Sequence, residues 1–209
     1  FLSDLFWESV PVSLSRLVRG YGVAVVVGIA VGVALGRSRL VDAALGPVIR
    51  FWMAVPNAAL LPIALQLFGV GDAFNIALIA FGTVWLVAMH TADGVRGVDP
   101  AWLRTARSLR LSRAARYGRV VLPAAAPQIF VGLRVSLAFA LILMVVGELY
   151  ATTSGLGHDV SVFQQTFQYT RMWSAFLLIA LLGIAANLVL ARGEARALRW
   201  RDRAGLGAA

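Results

Sequence analysis

Four stretches of this chain, 20–36, 51–71, 73–92 and 172–191, contain no charged residue, and a fifth, 120–147, is interrupted only by Arg134. A helix of roughly 20 apolar residues crosses a bilayer's hydrocarbon core. The five windows therefore predict five spanning helices. Membrane strands are excluded because the apolar runs are continuous, whereas a barrel strand alternates apolar and polar residues. Composition agrees. The chain is 60% hydrophobic and 14% charged, against about 45–50% and about 25% in soluble domains. The fold class read from these runs is an all-α, polytopic membrane protein, treated as one transmembrane domain over residues 1–209.

The chain begins with Phe1, and SDLFWESVPVSL has neither the basic start nor the apolar block of a signal peptide. A truncated N-terminus and a sixth, preceding span are the expectation. There is no cysteine, which removes disulfides and thiolate metal sites. The two histidines, His90 and His158, lie far apart without a ligand cluster, so no metal site is expected.

All 19 basic residues are arginine. Arg37, Arg39 and Arg50 follow the first span; Arg96, 104, 107, 110, 113, 116 and 119 separate the third from the fourth; Arg192, 196, 199, 201 and 203 follow the fifth. The intervening connections are arginine-poor. The positive-inside rule places the rich segments and the C-terminus in the cytoplasm, with Arg16 and Arg19 counting against it. Membrane-flanking arginines also account for the net charge of +9, and no interleaved aromatics suggest a nucleic-acid surface.

The segment RTARSLRLSRAARYGR, Arg104–Arg119, carries an arginine at every third position. Each such step turns about 60° backwards around a helix, so six on one helix would spiral around it. Asp99-Pro100 is a helix start, with a capping carboxylate and a first-turn proline, and Ser112 is a plausible second cap. A short helix from Pro100 and a second one after Ser112 each give their three arginines a face about 120° wide. Trp102, Leu103, Ala106 and Leu109 cover much of the rest of the first. Such a helix either lies on anionic headgroups or docks a cytoplasmic protein.

VDPAWLRTARSLRLSRAARYGRVVLPAAAPQIFVGLR resembles the EAA loop of binding-protein-dependent ABC importer permeases, E-A-A, three residues, G, then a basic stretch ending in I/V-x-L-P. SLSRLVRGYGVAVVVGIAVGVALGRSRLVD, AVPNAALLPIALQLFGVGD and GELYATTSGLG resemble the nitrate/sulfonate/taurine branch of that family. The resemblance implies a type I importer transmembrane domain in the bacterial inner membrane. It implies a coupling helix at 99–111 within an EAA-like loop at 99–123, with Asp99, Arg104, Thr105, Ala106, Arg107, Ser108, Leu109 and Arg110 facing an ATPase. It also implies two ATPase subunits, a second and identical permease subunit, an extracytoplasmic substrate-binding protein, and no cofactor on this chain, since ATP and magnesium belong to the partner subunit. The EAA positions here are Arg104, Thr105 and Ala106, and Arg110 stands at the glycine position, where loss of glycine is expected to favour helix continuation. Independently, a chain without lysine cannot contain a nucleotide-binding P-loop.

Gly20, Ala24, Gly28, Gly32 and Gly36 form a small-residue ridge for close helix approach, within or between subunits. Pro56 and Pro62 free carbonyls in the second span, tolerated against protein or a water-filled cavity. That makes the span either a pathway helix or merely a kinked one. Asn57, Gln66, Asn75 and Glu148 are polar where lipid contact is costly, so each either bonds between helices or lines the pathway. Arg134 and Glu148, 14 positions apart, are separated by about 21 Å along one helix and cannot pair. A scaffold that docks an ATPase without lining a pathway is the alternative function; a hydrolase using Ser154 and His158 is a more distant one.

Overall fold

The protein is described by a computed structural model covering residues 2–200, and among these there are helices, turns and no strand. The helices are α1 (Leu2–Arg37), α2 (Arg39–Ala54), α3 (Leu61–Phe68), α4 (Asp72–Arg96), α5 (Pro100–Ser108), α6 (Arg113–Arg116), α7 (Leu122–Ala151), α8 (Leu156–Gln165) and α9 (Tyr169–Ala197). Four stretches among the described residues are long and apolar enough to cross a membrane: Trp7–Arg37, Asp72–Arg96, Arg113–Ala151 and Tyr169–Ala197.

The small-residue ridge sets the packing of the first pair. A Cβ at Gly20 would stand 2.8 Å from Ile79 Cβ, one at Gly28 2.7 Å from Val87 Cβ, and one at Gly36 2.6 Å from Val95 Cβ. Gly32 is tighter still, against the Ala88 carbonyl and Thr91. Only hydrogen fits in these positions, so α1 and α4 touch backbone to backbone within one chain. The matched numbering also fixes direction. Residues 20, 28 and 36 meet 79, 87 and 95 in the same order, so α1 and α4 run parallel.

Two parallel spans require a return crossing between them, and α2–α3 supplies it as a broken passage. The expected continuous second span, 51–71, is not formed. α2 stops at Ala54 because Pro56 disfavours helical backbone at Val55, which is extended with φ −74° and ψ 122°. A single 3₁₀ turn, Asn57–Leu60, follows, and α3 restarts with Pro62 in its first turn. Its 8 residues rise about 12 Å, too little to span alone. Among the described residues the link between the two parallel spans is therefore two helices and a turn rather than one continuous helix.

α7 packs antiparallel to α4: Gly147 meets Asn75, Gly132 meets His90, and Gly94 meets Ala125. One buried cluster, with Phe74, Ile79, Met144 and Leu156, joins α4, α7 and α8; another, with Val87, Val95, Val121 and Ala125, joins the opposite ends of α4 and α7. Leu35, Ile49 and Ala92 pin α2 to both parallel spans.

Candidate functional site

The basic loops converge on one side. The α4 end is bound to the start of α2 by Arg96 Nη2 and Asp42 Oδ1 at 2.6 Å. Arg37, at the end of α1, sits over the Tyr117 ring, 5.0 Å from its centre. Between α4 and α7, the Asp99 carboxylate accepts from Ala101 N at 2.7 Å, and Ser112 Oγ accepts from Ala115 N at 3.2 Å. Both expected caps are thus formed, but each helix holds two arginines rather than three: Arg104 and Arg107 lie on α5 and Arg113 and Arg116 on α6, while Arg110 and Arg119 fall beyond their ends.

Arg110 does not continue the helix. It takes φ +52°, the left-handed conformation that favours glycine. Leu111 N donates to Ala106 O at 3.2 Å and Arg110 N to Arg107 O at 2.9 Å, which together close α5 as a Schellman motif. Expecting continuation was wrong because these two bonds satisfy carbonyls that another helical turn would otherwise take. A π-helical turn, Tyr117–Val121, then leads into α7. Pro123 explains it: the ring has no N–H for the Arg119 carbonyl and crowds it, displacing the hydrogen-bond register.

Not all of the expected coupling residues are displayed. Asp99, Arg104, Thr105, Arg107, Ser108, Leu109 and Arg110 are exposed, Leu109 at 68%. Ala106 is 2% exposed and faces the protein's own interior, so it offers no surface to a partner.

The opposite side of the membrane domain closes around a polar core that the sequence reading did not assemble. Arg16, 3% exposed, reaches Glu148 Oε1 with Nη1 at 3.0 Å and Asp72 Oδ1 with Nη2 at 2.6 Å. Its Nη1 also donates to the Ser154 carbonyl at 2.6 Å and its Nη2 to Ser154 Oγ at 3.0 Å. Glu148, fully buried, takes its second oxygen's bonds from Ser13 Oγ at 2.8 Å and Gly157 N at 2.9 Å. Gly155 makes this closure possible, with φ +104° and no room for a Cβ beside Glu148 Oε1 and Arg16 Nη1. Every charge here has a partner, which is the condition for burying it.

Of the four polar candidates, two are internal. Glu148 belongs to the core just described, and Asn75 is fully buried between α4 and α7, donating Nδ2 to Met144 O at 3.2 Å. Gln66 is exposed on α3. Asn57 alone of the four lines a cavity of about 600 Å³, bounded by α1, α4 and the broken α2–α3 passage. Val27, Trp52, Phe81 and Trp85 give the cavity apolar walls, and Asn57 stands at the break itself.

The family model described as binding-protein-dependent transport system inner membrane component matches residues 24–197. The chain belongs to this family. Taurine transport system permease protein TauC of Escherichia coli K12 is 34% identical over 200 residues, 96% of this chain and 73% of that one. Bicarbonate transport system permease protein CmpB of Synechococcus elongatus is 32% identical over 196 residues, 94% and 69%. Putative aliphatic sulfonates transport permease protein SsuC of Bacillus subtilis 168 is 29% identical over 201 residues, 96% and 73%. The fold matches an inward-facing structure of the MetNI methionine ABC transporter with a TM-score of 0.78 at 17% identity, covering 90% of this chain and 94% of that one. The protein is an integral inner-membrane permease subunit of an ABC importer, a transport component of the nitrate/sulfonate/taurine branch.

In this permease Ser154 is bound to Arg16, with no hydrogen bond to His158 among the described residues. No group of three or more metal-ligating side chains occurs there either. Arg134 pairs with Glu194 of α9 at 2.5 Å, while Glu148 pairs with Arg16 across helices. Arg16 was legible as an anomaly, a cation on the arginine-poor side. Its partners lie 56 and 132 positions away, with no periodicity to connect them.

Proposed function

We propose that the permease carries a small solute of the nitrate, sulfonate or taurine class across the membrane and takes its power stroke from an ATPase seated against α5. The observation that carries this reading is the display of α5. The Asp99 cap and the Schellman motif define its two ends, its inner face is anchored through Ala106 and Leu103, and its outer face offers Arg104, Arg107 and Leu109. A push on a helix so anchored passes to α4 and α7, to which it is joined through the cluster around Val98 and Val121. The basic side is cytoplasmic, including the C-terminus, by the positive-inside rule.

The complete importer comprises two such ATPase subunits, two copies of this single-domain permease with the route along their interface, and a soluble binding protein on the opposite side. Relatives named for taurine, aliphatic sulfonates and bicarbonate support the solute class. Asn57, at the break in α2–α3, is the pathway residue on this reading, because broken backbone at membrane depth belongs where it meets protein or water. The chain holds no cofactor; ATP and magnesium are the partner's.

The test is reconstitution in proteoliposomes with ATPase and binding protein. Uptake of a labelled sulfonate or nitrate requiring all three components supports the proposal. ATP hydrolysis by the assembled complex without solute flux, for any ligand the binding protein retains, makes the chain a docking scaffold instead.

A further inference from the structure

A second groove, of about 630 Å³, lies on the other face of α1, between α1, α7 and α9. Leu14, Val18, Leu137, Leu182 and Val189 are among its walls. Its one polar group, the Tyr21 hydroxyl, is already committed to the Leu133 carbonyl at 2.6 Å. Nothing in the groove would recognise a polar solute. Its apolar walls match an alkyl chain.

At the basic end the groove stops at a charged pair. Leu137 is three residues from Arg134 on α7, and Leu190 is four from Glu194 on α9, so both charges lie one turn beyond its walls. Arg134 Nη2 meets Glu194 Oε2 at 2.5 Å, yet the Arg134 side chain is 56% exposed. No other acceptor among the described residues takes its remaining N–H groups. Guanidinium has five donors, and within a bilayer each unfilled one is costly. Arg192 and Arg196, exposed on either side of Glu194 in sequence, leave this end positive despite the carboxylate.

We propose that the groove holds an acyl chain of an anionic phospholipid whose phosphate rests on Arg134. Phosphate accepts two parallel N–H bonds from guanidinium, so it can fill the vacant donors beside Glu194. The chain then covers the apolar wall that lies next to α1. On the topology proposed above, the lipid belongs to the cytoplasmic leaflet, whose anionic headgroups already favour basic segments.

The experiment uses the assembled transporter, comparing retention of phosphatidylglycerol and phosphatidylcholine by native mass spectrometry and the thermal shift each produces in detergent. The wild type should prefer phosphatidylglycerol. Arg134→Gln should lose that preference by about tenfold, the factor for one charge-assisted hydrogen bond. Glu194→Gln should keep or strengthen it, and Ala186→Phe, which fills the groove, should weaken both lipids. Equal preference in wild type and Arg134→Gln overturns the proposal. So does equal loss in Arg134→Gln and Glu194→Gln, which would make the pair purely structural. Efficient cross-linking of Val18→Cys to another protein in the assembled transporter also overturns it, by placing a helix where the lipid should be.

Discussion

Arg16 on α1 faces Glu148 on α7 at 3.0 Å, both almost wholly withdrawn from the surface. The pair joins the start of one span to the end of another, and Ser154 and Gly157 seal it from the connecting turn. The pairing with Glu148 and Asp72 gives Arg16 a structural role on the arginine-poor side, while Arg19 is exposed there and still counts against the orientation.

Breaking this pair from one side should be severe. Arg16→Leu leaves Glu148 buried without compensation, a loss of about 3–5 kcal/mol. Thermal unfolding in detergent should show a large fall for Arg16→Leu and for Glu148→Leu, with the double variant less damaged than the sum. Additive losses would mean that the two side chains are not energetically coupled.

Along α1 the glycines should differ sharply in tolerance. Gly28→Leu or Gly32→Leu must force α4 away from positions where even a Cβ collides, costing about 3 kcal/mol or more. Gly22→Ala, with nothing within 4 Å of its added Cβ, should be neutral or slightly stabilising by about 0.5–1 kcal/mol. Melting curves of the three variants check this, and equal effects would place the ridge against lipid.

The left-handed Arg110 makes an opposite kind of prediction. Arg110→Gly should relieve about 1 kcal/mol of backbone strain at the α5 terminus, while Arg110→Val should add to it. Amide hydrogen exchange at Leu109 and Leu111 reports the change directly: slower in the glycine variant, faster in the valine variant. A longer α5 in Arg110→Gly would contradict the capping role.

Coupling is tested at Leu109 rather than Ala106, since only the former is displayed. Leu109→Asp should leave melting of the isolated permease within about 0.5 kcal/mol of wild type, as expected for a surface change. In the complex it should abolish solute-stimulated ATP hydrolysis, because a charge would be buried in the ATPase groove without a partner. Normal stimulation would remove α5 from the docking surface.

Cysteines placed singly from Ala54 to Gln66 probe the route, in a chain that has none of its own. Positions flanking Asn57 should react with a membrane-impermeant thiol reagent faster than positions in the middle of α9, and nucleotide should change their rates. Uniform, nucleotide-independent protection would move the pathway elsewhere.

The helical class, the caps at Asp99 and Ser112, the break in the arginine series and the close-packing ridge were all legible in the sequence. Each rests on neighbours within a few residues, where hydrophobic period, proline chemistry and side-chain size act directly. The ridge announced a contact but not its partner, which α4 supplies by running parallel to α1. Pro56 and Pro62 signalled disruption, yet whether they kink a helix or divide it depends on what packs around Asn57. The polar core was decided wholly by tertiary structure. Ser13, Arg16, Asp72, Glu148, Ser154 and Gly157 come from four separate regions of the chain, and burying their charges is favourable only when all of them meet. Ala106 shows the same limit: helical spacing assigns it to a face, but the fold determines whether that face is turned to a partner or inward.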